Sequence, residues 1–116
     1  MATNRTFTSD DPLVADLANK IEARYPGRMV GVNRKIRDTR GRVVTEIDIE
    51  LQNANIQVKS GSGKGLTCQV VKTQAISDKP IIAFGPNLGR HVQRSAERQG
   101  VLVTTDENLL LEVIQP

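Results

Sequence analysis

Apolar positions recur along this chain with two different periods. Leu13, Leu17 and Ile21, flanked by Val14, Ala18 and Tyr25, return every three or four residues between Asp11-Pro12 and Pro26-Gly27. That spacing predicts a helix, with Asp11 as its N-cap, Pro12 in its first turn and Pro26-Gly27 as its stop. The period then shortens. "MVGVNRKI" and "RVVTEIDIEL" read as strands joined by the turn-like "DTRG", and "NIQVKS" reads as a third strand reached through "QNAN". After a glycine-rich loop, "LTCQVVKTQAI" reads as a helix and "PIIAFG" as a strand buried on both faces. "LGRHVQRSAERQG" reads as a helix closed by Gly100, and "VLVT" as another buried strand. "TTDENLLLEVI" reads as a last helix opened by a capping box of Thr104 and Glu107. The order is therefore α-β-β-β-α-β-α-β-α. A β-meander followed by α-β-α-β-α predicts an α/β fold, a mixed central sheet with helices on its faces. Residues 1–10 are expected to be a flexible N-terminus and residues 11–116 a single domain, since 116 residues suffice for one core.

Composition narrows the function. Three aromatics, Phe7, Tyr25 and Phe84, imply an aliphatic core and leave no set of rings for stacking single-stranded bases. Cys68 and His91 are each the sole residue of their type, which excludes an internal disulfide, a Cys/His zinc site and a Cys–His catalytic pair. No apolar run approaches the roughly 18 residues of a membrane span, and the first residues lack a signal-peptide core. The net charge of +3 is modest, but its placement is uneven. Arg34, Lys35, Arg37, Arg40 and Arg42 crowd one segment against Asp38 alone, seven basic residues run from Lys59 to Arg98, and Glu46, Asp48 and Glu50 lie between. Basic flanks around an acidic focus suit a site that grips phosphates around a cation, although each run alone equally describes a solvated surface.

Two motifs compete within Ile56–Leu66, "IQVKSGSGKGL". Gly63-Lys64 supplies the G-K pair of a phosphate-binding loop. However, Val58 stands where its first glycine belongs, and Gly65 stands where a magnesium-binding hydroxyl belongs. The glycines read better as a flexible lip that carries Lys64 to a backbone phosphate. The left half is richer. Alternation puts Glu46, Asp48 and Glu50 on one face of their strand, and Gln57 and Lys59 on one face of the next. With Asn53-Ala54 at the centre of a two-residue turn, Asp48 lies opposite Lys59 and Glu50 opposite Gln57. The whole set then faces one way. Three like charges at alternate positions repel one another unless a cation sits among them. Carboxylates, a carbonyl such as that of Val58 and phosphate oxygens make a hard oxygen shell suited to Mg²⁺ or Mn²⁺.

At these residues the chain resembles the PD-(D/E)xK nuclease superfamily. Glu22 on the first helix, "TEIDIEL" with Asp48, and "IQVKS" with Gln57 and Lys59 match its segments in order. The tail from "PIIAFG" resembles the restriction-endonuclease-like and Holliday-junction-resolvase-like members. The resemblance implies a divalent metal held by Asp48 with Glu46, Glu50 or Glu22, and Lys59 as the catalytic lysine. It places Gln57 where the motif usually has an acid. Lys64 and the basic run Arg34, Lys35, Arg37, Arg40 and Arg42 become the phosphate-contacting surface. The same stretch is similar to C-terminal nuclease domains of contact-dependent and related polymorphic toxins. That similarity implies a DNA or tRNA substrate, an immunity or inhibitor protein as partner, and a cytoplasmic site of action reached as part of a larger secreted protein. A homodimer stays open. Two other functions stay open as well: a non-catalytic module binding nucleic acid or protein on the same surface, and a nucleotide-binding protein built on the glycine loop.

Overall fold

The computed structural model describes residues 5–116. Its elements follow the expected order: α1 (Pro12–Arg24), β1 (Met29–Arg37), β2 (Val43–Leu51), β3 (Asn55–Val58), α2 (Leu66–Gln74), β4 (Ile81–Phe84), α3 (Arg90–Glu97), β5 (Leu102–Thr104) and α4 (Glu107–Val113). The strands form one mixed sheet in the order β1-β2-β3-β4-β5, antiparallel from β1 to β3 and parallel from β3 to β5. The two strand types follow from their connections. Short hairpins return the chain antiparallel, whereas helices α2 and α3 carry it across to a parallel neighbour.

Helices cover both faces. Alternation along β4 sends Ile82 and Phe84 into a core with Ile49, Ile56 and the helices α1 and α4. Ile81 and Ala83 instead join a second core with Leu66, Val70 and Ala96 of α2 and α3. A strand apolar on both sides needs such a double cover. The Tyr25 hydroxyl donates to the Leu111 carbonyl at 2.7 Å and ties the end of α1 to α4. Asp11 caps α1 as expected, accepting from the Leu13 amide at 2.9 Å.

Three local expectations are corrected. The β2–β3 turn is centred on Gln52-Asn53, with Leu51 N–H donating to the Ala54 carbonyl at 2.8 Å, so Ile49 pairs with Ile56 and Glu50 with Asn55. The physical reason is burial: Ala54 enters the core while Gln52 and Asn53 stay exposed and bond to Gly27 and Arg28. Neither Asp48–Lys59 nor Glu50–Gln57 is therefore a directly opposed pair. The cap of α4 is Asp106, which accepts from the Asn108 and Leu109 amides, while Thr104 instead accepts from the Asp106 amide. β5 is a sheet edge with Leu102 exposed, not a buried strand. The N-terminal segment is tied down from Arg5 on. The Arg5 amide donates to Glu22, Phe7 and Asn19 exchange two hydrogen bonds, and the Ser9 hydroxyl donates to Asn33. The rest of the expected loose terminus, residues 1–4, lies outside the described residues.

One glycine fixes the level of β3 against β4. The Lys59 N–H donates to the Phe84 carbonyl at 2.9 Å, and a Cβ on Gly85 would overlap the Lys59 carbonyl oxygen and crowd Leu88. Gly85→Ala is expected to cost on the order of 2 kcal/mol through overpacking, read from the denaturant midpoint. It should also lower whatever activity depends on the position of Lys59.

Candidate active site

β2 and β3 separate two residue pairs away from their turn. Backbone pairing stops at Ile49–Ile56, and beyond it the Asp48 carboxylate, not a backbone carbonyl, accepts the Val58 N–H at 2.8 Å. Among the described residues its second oxygen, Oδ1, has no hydrogen-bond partner, and the side chain lines two adjoining cavities. One, of about 480 Å³, is walled by Asp11, Lys59, Lys64 and the turn from Ser60 to Gly63. The other, of about 580 Å³, is walled by Ser9, Asp10, Asp11, Asn33 and Glu46, with Lys35 also in its lining. Asp48 and Lys59 thus converge without facing each other across a ladder.

Burial pushes the Asp48 carboxyl up to about 6, against the opposing pull of the Val58 amide. The negative charges of Glu46 and Asp11 add to the rise, and Lys59 offsets part of it. Such a carboxylate gains from any cation that reaches it. The residues present suit a hard divalent ion: the Asp11 and Asp48 carboxylates line both cavities, and soft or imidazole donors are absent from both linings. Among the described residues no three His, Cys, Asp or Glu side chains form a ready-made metal cluster. The fit is therefore to an ion such as Mg²⁺, which takes one or two protein carboxylates and fills its remaining positions with water and substrate phosphate.

The other expected ligands are placed differently. Glu22 is buried beneath the N-terminal segment and lines neither cavity. Its oxygens accept from the Arg5 amide and guanidinium and from the Gly27 amide, which hold its carboxyl below the ordinary range. Burial pushes Glu50 up, but bonds from Lys79 and Arg34 outweigh it, and the net shift is down. Glu50 is a buried structural anion, and Arg34 is committed to it. Glu46 does line a cavity with Asp48, its Oε1 accepting from Asn33 at 2.9 Å.

Gln57 is fully buried. Its Nε2 donates to the Glu46 carbonyl and to Thr73, and its Oε1 accepts from Gln69 at 2.7 Å. It clips β3 to β2 and α2 where backbone pairing has ended, next in sequence to the Val58 amide that Asp48 accepts. Gln57→Glu should destabilise the fold by on the order of 3 kcal/mol at neutral pH, because a buried charge would replace both donated bonds. It should not tighten metal binding, as a ligand at this position would. Urea unfolding and a Mn²⁺ titration check the two halves.

The glycine loop is pinned, not a free lip. Gly63 is buried at φ +100° against Leu88 and Val92, Gly89 N–H donates to the Ser62 carbonyl, and Gly65 enters α2 in the left-handed conformation. This anchoring presents Lys64, exposed, at the cavity rim. Arg37, Arg40 and Arg42 are exposed on and beside the β1–β2 turn. Arg37 donates to the Gly41 carbonyl, and Arg42 pairs with Asp38.

No family model, curated protein or solved structure matches the chain. The site's meaning therefore rests on its own geometry. Asp11 is the residue that sequence pattern undervalued. It was legible as a helix cap, but only the fold brings that cap beside Asp48 in both cavities. No helix among the described residues is long and apolar enough to cross a membrane.

Proposed function

We propose that the chain is a metal-dependent nuclease that hydrolyses phosphodiester bonds of DNA or tRNA on a restriction-endonuclease-like core. The observation that carries this reading is the convergence of Asp48, strained upward in pKa, with Lys59 and Lys64 on one cavity. Asp48 would hold the metal, with Asp11, which lines both cavities, placed to share its charge. A bound divalent cation would polarise the phosphodiester and acidify a water. The Val58 N–H, donating to Asp48 Oδ2 at 2.8 Å, holds that carboxylate in place. Lys59 orients the attacking water or offsets the negative charge that develops on the phosphate oxygens. Lys64 grips a neighbouring phosphate, and the exposed arginines of the Arg37–Arg42 turn extend the grip along the backbone. The toxin resemblance adds an immunity protein as a proposed partner and delivery from a larger secreted protein as a proposed route.

Incubation with plasmid, linear DNA and total tRNA, with and without Mg²⁺, tests the proposal: magnesium-dependent loss of at least one substrate is expected. Retarded but intact nucleic acid would favour the non-catalytic module. Binding should weaken steeply with salt through counterion release, and Lys64→Ala should lower the log–log slope by about one. Filter binding between low and physiological salt measures both.

A further inference from the structure

The two cavities beside Asp48 differ in charge, and that difference bears on what each can hold. The smaller one has two ammonium groups, Lys59 and Lys64, and suits the phosphate chain. The larger one has four carboxylates, Asp10, Asp11, Glu46 and Asp48, against the single ammonium of Lys35. A phosphate is repelled there. A neutral group bearing hydrogen-bond donors is not. At about 580 Å³ the cavity exceeds the size of a nucleobase, and because it shares Asp11 and Asp48 with its neighbour, its occupant adjoins the phosphate at Asp48. Asp48 itself is nine-tenths buried, with Oδ1 unpartnered among the described residues, so the wall is a built one and not a scatter of surface acids.

Glu46 is the acid in this cavity with a dedicated support. The Ser9 hydroxyl donates to Asn33 Oδ1, and Asn33 Nδ2 donates to Glu46 Oε1. Asn33 holds this bridge from within β1 at φ 51°, the one non-glycine positive φ among the described residues. No aromatic ring lines the cavity, so recognition falls to edges, not faces.

We infer that this cavity receives the nucleoside adjoining the cleaved phosphate, unstacked from its neighbours, and that Glu46 reads its base. The inference rests on the nuclease reading above. A carboxylate pairs with two adjacent donors, and guanine offers N1–H and the N2 amino group side by side. Uracil and thymine offer one N–H between two carbonyls, which carboxylates repel. The site accordingly prefers guanine next to the cut. It also prefers single-stranded or loop segments, where unstacking costs least.

The test is to map cleavage positions by the wild type and by Glu46→Gln on random-sequence single-stranded DNA and RNA in Mg²⁺. The wild type should cut beside guanine at least about tenfold more often than beside uracil or thymine. Glu46→Gln should collapse that ratio toward one. Asn33→Gly, which suits a positive φ and removes the bridging amide, should lower the ratio in the same direction even if Glu46→Gln folds poorly. A wild type that cuts without base preference overturns the inference and leaves the nuclease reading intact. So does a Glu46→Gln variant that slows every cut equally with the ratio unchanged, the result expected if Glu46 is only a metal ligand. Absence of cleavage in every reaction defeats the nuclease reading and this inference together.

Discussion

Asp48→Asn should melt about 10 °C above the wild type at pH 8 in the absence of divalent cations, while losing at least about 10³-fold in cleavage rate. The stability half follows from linkage. Unfolded, the Asp48 carboxyl ionises near 3.8; folded, near 6. Between those values the folded chain keeps a proton that the unfolded chain has released. Stability therefore falls as pH rises through that window, and the full penalty of about 3 kcal/mol is present above pH 6. An asparagine carries no charge to desolvate, and its amide oxygen can still accept the Val58 N–H that Asp48 accepts at 2.8 Å. The gain should vanish below about pH 4, where Asp48 is neutral in both states. Melting curves for the two proteins from pH 4 to 8 should converge at the acid end and separate above pH 6. Curves that run parallel would show that Asp48 is not strained by burial. A residue whose replacement stabilises the fold and removes activity is the signature of a site kept for function at the expense of stability.

Lys59→Met should lower the cleavage rate about 10²- to 10³-fold with little change in nucleic-acid affinity, the loss expected when one positioned group facing transition-state charge is removed. The thioether retains most of the side chain's apolar length, so the fold should tolerate it. A second effect separates this residue from a mere phosphate contact. Lys59 is the cation that holds the Asp48 carboxyl down against its acidic neighbours. Without it, Asp48 becomes harder to ionise, and the acid limb of the pH–rate profile should move to higher pH. Single-turnover rates from pH 5.5 to 8.5 check this. A shift toward lower pH, or a loss confined to affinity, would remove Lys59 from the reaction and leave it as one more phosphate grip.

The fold was readable as a sequence of elements because helix and strand periods alternate cleanly, and because Asp11, Pro26-Gly27 and Gly100 mark boundaries. Register was not. Alternation tells which residues share a face of one strand, but the level of two strands depends on the turn. There the burial of Ala54 and the anchoring of Gln52 and Asn53 to residues 27 and 28 decided the outcome. For the same reason, alternation alone sets Asp48 directly opposite Lys59, whereas in the fold the two share a cavity wall without being a ladder pair. Glu22, Glu50 and Gln57 carried the right chemistry for ligands, yet each is consumed by partners distant in sequence: Arg5 for Glu22 (with the nearby Gly27 amide), Lys79 and Arg34 for Glu50, and Thr73 with Gln69 for Gln57. No local pattern announces such partners. Asp11 illustrates the converse, a cap whose second role exists only once α1 is packed on the sheet.

The most direct measurement is the release of fragments from end-labelled DNA and tRNA at pH 8 by the wild type and by Asp48→Asn, each in Mg²⁺ and in EDTA. Fragments from the wild type in Mg²⁺ alone are the expected result. Cleavage that persists in EDTA, cleavage by Asp48→Asn at the wild-type rate, or intact substrates in all four reactions would contradict the account.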